Sequence, residues 1–150
     1  MKKINIRKAN ATDLPEIYNL VKELAVYEKE PAAVTATLSD YNADFAAGIF
    51  EAFVAKTEEK VVGTAIYYMT YSTWKGRMLY LEDFVVQESY RKFGIGQQLF
   101  DAFLAEASNK KAKLVKWQVL DWNEPALSFY RKNEAIIEKN WWSGKIFLEK

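Results

Sequence analysis

Two acids stand side by side inside an otherwise apolar stretch, Glu82 and Asp83 in "MLYLEDFVV" (78–86). Carboxylates in such a run are costly unless they are paired, hydrated or put to use. Shortly after comes "YRKFGIGQQLF" (90–100), where Arg91-x-x-Gly94-x-Gly96 leads into a helix-like apolar pattern. Glycines allow close backbone approach, and first-turn helix amides point outwards with the positive dipole end behind them. With Arg91 and Lys92 beside it, this stretch suits an anion such as a phosphate, and it equally suits a plain strand-to-helix turn. A Rossmann fingerprint is excluded because position 99 is Leu, and a P-loop because Gly-Lys-Ser/Thr is absent. The chain has no histidine and no cysteine. A Ser–His relay, a disulfide framework and a thiol nucleophile are therefore impossible, and a zinc site would need carboxylates alone. Acid–base chemistry must run on Asp, Glu, Lys or Tyr.

The elements that carry these residues follow from the pattern. "INIRKA" (4–9) alternates as a strand, with Ile4 and Ile6 on one face. "TDLPEIYNLVKELAVYEKE" reads as a helix opened by Asp13, Pro15 and Glu16, with Leu14, Ile17, Val21, Leu24 and Ala25 at helical spacing. A shorter helix is expected over 38–49. Strands follow at 51–57, 61–72 and 78–86, the first two joined as a hairpin. A helix carrying Ile95, Leu99 and Phe103, a strand over 112–120 and a helix over 123–133 come next, the last with Asn123 as N-cap and Pro125 in its first turn. "AIIEK" (135–139) and "KIFLE" (145–149) read as two closing strands. Because side chains alternate along a strand, only one of Glu82 and Asp83 should line a given cleft face. The order predicts one α+β domain over 1–150, with a mixed, mainly antiparallel central sheet flanked by helices. The run from 78 to 120 supplies its right-handed parallel crossover.

The bulk properties narrow the class further. A net charge of +1 argues against a nucleic-acid partner, and no apolar run reaches the length of a membrane span. The basic start "MKKINIRKAN" has no apolar segment behind it, so a cytoplasmic location is expected.

Arg91-x-x-Gly94-x-Gly96 after "YLEDFVV" resembles the acyl-CoA loop, Q/R-x-x-G-x-G/A, of the GNAT superfamily of N-acetyltransferases. "KELAVYE", "YLEDFVV", "YRKFGIG" and "WNEPALSFY" together resemble its diamine branch, which acts on spermidine, spermine or thialysine. These matches run over about residues 5–130 and imply the GNAT acyl-CoA N-acyltransferase fold. They imply acetyl-CoA as co-substrate, no metal, and transfer to a primary amine. In that frame the backbone of Phe84, Val85 and Val86 carries the acetyl–pantetheine arm. Arg91, Lys92, Phe93, Gly94, Ile95, Gly96 and Gln97 hold the pyrophosphate, and Asn123, Glu124, Pro125 and Ala126 make a second coenzyme contact.

The resemblance likewise makes Tyr130 the acid that protonates the departing thiolate, and Glu82 the group that touches the amine and takes its proton, directly or through water. Asp83 either supports the groups that touch the amine or orients the amine itself, and Tyr27 and Glu28 face the substrate, the carboxylate suiting a distal ammonium. Lys116, Trp117 and Gln118 fall on the strand that lines the family's substrate pocket, although Lys116 suits a polycation poorly. With no histidine or cysteine, direct attack by the amine in a ternary complex fits better than an acyl-enzyme. After Tyr130 the chain departs from the pattern. Glu134 stands where glycine is common, with Asn133 able to take the left-handed helix end, and Trp141 and Trp142 replace acids. That favours a small primary amine or a lysine-like amino acid, with polyamines open. A homodimer is expected, with the aromatic C-terminal stretch a candidate surface. The alternatives are a protein or peptide N-acetyltransferase and a non-catalytic acyl-CoA-binding module.

Overall fold

The computed structural model describes residues 3–149. The chain divides into two compact units, one through Gln118 and one from Val119. The first holds a five-stranded sheet in the order β1-β2-β3-β4-β5. Its strands are β1 (Asn5–Lys8), β2 (Glu51–Lys56), β3 (Val61–Ser72), β4 (Gly76–Val86) and β5 (Leu114–Lys116). The first four are antiparallel neighbours, and β5 is parallel to β4. The mixed, mainly antiparallel sheet expected from the sequence is present.

Each helix forms for a local reason. α1 (Leu14–Tyr27) buries Leu14, Ile17, Leu20, Val21 and Ala25 along one stripe. Its entry differs from the expected Asp13–Glu16 pair. The capping box lies one turn earlier, where Asn10 caps a 3-10 turn and Asp13 accepts the Asn10 N–H. The Asp13 carboxylate also receives two hydrogen bonds from Arg7, at 2.7 and 3.0 Å. Glu16 instead accepts the Val61 N–H at 2.8 Å, tying α1 to the start of β3. α2 (Leu38–Ala46) has a Thr37–Asp40 capping box. α3 (Ile95–Asn109) makes the crossover from β4 to β5 and buries Ile95, Leu99, Phe100 and Phe103.

The two sheet faces are covered by different helices. On one, Ala52, Val54, Ile66 and Val85 join Leu14, Ile17, Leu20 and Val21 of α1, with Tyr41 and Phe45 of α2 packed against them. On the other, Phe53 stacks on Tyr67, Tyr67 meets Phe103, and Phe84 meets Phe100 of α3. Gly63 on β3 makes the fit close, since a Cβ there would come within 3.1 Å of Leu99 and of the Val85 carbonyl.

The second unit contains α4 (Glu124–Lys132), whose Asn123 side chain accepts the Ala126 N–H at 3.3 Å. The helix ends differently from expectation, because Asn133 has φ −90° and the left-handed position falls on Glu134 at φ 62°. Two corrections concern strands. β5 covers only 114–116 of the expected 112–120, and neither 135–139 nor 145–149 forms a strand. Their isoleucines and phenylalanine favour strands, but a strand exists only where a second one pairs with it. Here Ile136, Ile146, Phe147 and Leu148 stand exposed.

Candidate active site

A single irregularity in β4 creates the most unusual feature of the first unit. Ile66 of β3 pairs with Asp83, yet Tyr67 pairs with Leu81, so Glu82 is an extra residue opposite no partner. Such a β-bulge shifts the alternation by one. Leu81 before it and Phe84 after it both turn to the α3 face, while Glu82 and Asp83 both turn to the face of α1 and α2. This corrects the expectation that only one of the two acids lines the cleft.

Both line a cavity of about 240 Å³ with Ala36, Asp40, Tyr41, Asp44, Ile49, Phe50, Ile66 and Tyr68. The Tyr68 hydroxyl donates to Glu82 at 2.8 Å, and Tyr68 stacks on Tyr80 with ring centroids 5.5 Å apart. Tyr18 and Tyr41 meet edge-on at 4.9 Å, and the Tyr18 hydroxyl donates to the Ala36 carbonyl at 2.8 Å, bracing the α2 wall. Glu82 is exposed and Asp83 half-buried. Burial first, then the charges of Glu82 and Glu28, push the Asp83 carboxyl up to about 7. Burial likewise raises Glu28 above the usual carboxylate range and Tyr41 to about 12. Together these groups make a negative, aromatic-walled cavity, the chemistry that receives an ammonium. Sequence reasoning missed Asp40, Tyr41, Asp44 and Tyr68. The period of β3 aligns Tyr68 with Ile66, but the bulge that brings Glu82 to it carries no sequence signal.

The glycine stretch follows the C-terminal end of β4 and starts α3. Gly94, at φ 80°, is the N-cap of α3, and no side chain caps that helix. Gln98 N–H, bonded to the Gly94 carbonyl, begins the intrahelical ladder, so the amides of Ile95, Gly96 and Gln97 face outwards. Exposed Lys92 and Phe93 precede them. Arg91 turns back: its Nε donates to the Val86 carbonyl at 2.9 Å, and its guanidinium lies 5.7 Å from the Tyr27 ring centre. β5 pairs with β4 only at Met78, Leu79 and Tyr80. Beyond Tyr80 the β4 edge, with Phe84, Val85 and Val86, has no strand partner on that side among the described residues. An open strand edge running toward an uncapped helix N-terminus fits an extended amide-bearing arm that ends in phosphates.

The remaining expected positions are placed as follows. Tyr27 closes α1, with Glu28 at its C-cap. Lys116 ends β5, and the Trp117 ring meets Phe100 of α3 at 5.6 Å. Tyr27, Glu28, Lys116, Trp117 and Gln118 are not among the residues lining the cavity of about 240 Å³. In the second unit Asn123 caps α4, Glu124, Pro125 and Ala126 form its first turn, and Tyr130 is buried. A larger, more open depression of about 510 Å³ over Glu23, Lys60, Gln87, Glu88 and Ser89 contains none of the residues singled out above. Among the described residues no cluster of His, Cys, Asp and Glu could hold a metal, and no helix is long and apolar enough to cross a membrane.

Known proteins resemble this chain in sequence and in fold. Thialysine N-epsilon-acetyltransferase of Bos taurus is 36% identical over 138 residues, covering 85% of this chain and 81% of that one. Spermidine/spermine N(1)-acetyltransferase-like protein 1 of Homo sapiens is 32% identical over 148 residues, 91% of this chain but only 21% of that protein. In fold, an aminoglycoside N-acetyltransferase in complex with CoA superposes with a TM-score of 0.78 at 19% identity, covering 97% of this chain and 96% of that one. Residues 14–134 match the acetyltransferase (GNAT) family, and with the bulged β4, its open edge and the uncapped α3 all inside that span, the chain belongs to that family of acetyltransferases.

Proposed function

We propose that the chain moves the acetyl group of acetyl-CoA to a primary amine of a small molecule, a diamine, polyamine or lysine-like amino acid, within a ternary complex. The observation that carries this reading is the cavity where Glu82 and Asp83 share one face with Tyr41, Tyr68 and Phe50. Carboxylates attract an ammonium, and aromatic walls leave room for an alkyl chain and a second cationic end. The names of the relatives, thialysine and spermidine/spermine acetyltransferases, agree with that substrate class.

Acetyl-CoA supplies an activated thioester. The Phe84–Val86 edge would hold its pantetheine arm, and the amides of Ile95, Gly96 and Gln97, with Lys92, its pyrophosphate. Arg91 would join them by swinging away from the Val86 carbonyl and the Tyr27 ring. Glu82, steadied by Tyr68, would bind the amine. Tyr130 would protonate the departing thiolate, and Asn123 to Ala126 would add the second coenzyme contact, with both segments working with the first unit as one domain over 1–150. The reading extends to a cytoplasmic homodimer, supported by the exposed Trp141, Trp142, Phe147 and Leu148, which a second copy would cover. Sedimentation velocity tests the dimer.

The decisive experiment is acetyl-CoA with a panel of diamines, polyamines, lysine analogues and peptides, following thiol release. Turnover of the small amines is expected. Turnover of peptides alone would favour a protein N-acetyltransferase, and coenzyme binding without any turnover would leave an acyl-CoA-binding module.

A further inference from the structure

The resemblance gives proton acceptance to Glu82, but the geometry points to its neighbour. We propose that Asp83 takes the proton from the attacking amine, while Glu82 binds and positions the ammonium. The inference rests on the amine-acetyltransferase reading of the same cavity.

Three observations divide the roles. The bulge turns both carboxylates to one cavity, so one ammonium can touch both. Glu82 is exposed and held by the Tyr68 hydroxyl at 2.8 Å, an arrangement that fixes a carboxylate as an anchor. Asp83 lies deeper, and no hydrogen bond reaches its carboxylate among the described residues, so its lone pairs are open to a donor in the cavity. The groups facing it are Glu82 from its own strand, Tyr68 from β3, Tyr41, Asp40 and Asp44 from α2, and Glu28 from the end of α1. None is a cation, and the crowd of oxygens favours a protonated Asp83 once a proton arrives. Its rise from 3.8 to about 7 makes it a better acceptor than an ordinary carboxylate. Each unit is tenfold in the transfer equilibrium, so about a thousandfold more neutral amine forms.

The step balances. The ammonium N–H bond breaks and its proton forms an O–H bond on Asp83, leaving a neutral amine. The amine nitrogen then forms the C–N bond to the thioester carbon, and the C–S bond breaks with its electron pair going to sulfur. The nitrogen's surplus proton ends on that sulfur as the thiol, and Asp83 returns its own proton to water.

The test is the pH profile of kcat/KM for a diamine, for the wild type and for Asp83→Asn and Glu82→Gln. That quantity reports the essential base of the free enzyme. The wild type should show an acid limb near pH 7. Asp83→Asn should abolish the limb and lower kcat about 100-fold or more. Glu82→Gln should keep the limb but move it to lower pH, because one of the charges that raises Asp83 is gone, and should raise KM. A limb that survives in Asp83→Asn and disappears in Glu82→Gln overturns the assignment. Should Asp83→Asn fail to fold, the carboxyl 13C titration of wild-type Asp83 decides, since its midpoint must coincide with the kinetic limb. A midpoint elsewhere overturns the proposal. Absence of wild-type turnover with every amine would instead sink the underlying reading.

Discussion

Replacing Gly63 by alanine probes how closely α3 sits on the sheet, and through it the position of the amides at the helix start. The new Cβ would lie 3.1 Å from Leu99 Cδ1, 3.1 Å from the Val85 carbonyl oxygen and 3.3 Å from Val86 Cγ2. A side-chain tip can swing aside, but a strand carbonyl cannot, so the helix or the strand must move. Overpacking of this kind costs about 1–3 kcal/mol. Loss of glycine freedom in the unfolded chain offsets about 0.4–1 kcal/mol of that. The net destabilisation, about 1–2 kcal/mol, corresponds to a Tm lower by roughly 2–8 °C in a chain of this size. Gly96→Ala is the matched control on the other side of Val86. Its Cβ meets Phe84 at 3.7 Å and Val86 at 3.9 Å, which is ordinary contact. Alanine is favoured over glycine in a helix by up to about 1 kcal/mol, so this variant should melt with or slightly above the wild type. Calorimetric melting with acetyl-CoA titrations would read both. Gly63→Ala should bind the coenzyme more weakly, and Gly96→Ala as the wild type does. If Gly63→Ala melts with the wild type, or Gly96→Ala melts below it, the close approach described here is wrong.

Three further outcomes are expected. Tyr130→Phe should lower kcat about 100-fold or more with the acetyl-CoA Kd unchanged, measured by steady-state kinetics and calorimetry; equal loss of affinity would mean that the ring only packs the site. Asp83 carries a folded-state carboxyl at about 7 against 3.8 unfolded, so the folded chain binds the extra proton between those values and stability falls as pH rises through that window. Asp83→Asn should therefore gain in Tm over the wild type at pH 8 and not at pH 4. Glu134 holds φ 62°, where a side chain costs about 1–2 kcal/mol, so Glu134→Gly should raise stability by several tenths of a kcal/mol to about 1 in urea unfolding.

How far the sequence carried is clearest along β4. Its range was legible because 78–86 is an apolar stretch followed by the glycine-bearing segment 90–100. Its bulge was not, because one inserted residue leaves composition unchanged and is fixed only by pairing with β3. The two acids were therefore recognised as unusual while their shared face went unseen. The glycines gave the helix start correctly, yet the reason for each differs: Gly94 supplies the positive φ, whereas the bare Cα of Gly96 faces Phe84 and Val86. Asp13 was singled out as a cap, but its main partner, Arg7, lies on the preceding strand, beyond the reach of local rules. The closing segments show the opposite failure. Their short apolar, β-forming runs are real, but such runs cannot supply a neighbouring strand.

The distribution of tryptophans has a practical result. Of five, Trp74, Trp122, Trp141 and Trp142 are exposed, and Trp142 almost wholly so at 96%. Trp117 alone is half-buried, set edge-on against Phe100 where β5 parts from β4. Intrinsic fluorescence of a single copy is therefore dominated by exposed indoles at a long emission wavelength, and cover of Trp141 and Trp142 by a second copy would shift it to shorter wavelength. A chain with phenylalanine at the four exposed positions would leave one optical reporter, Trp117, set against Phe100 of α3 at the end of β5.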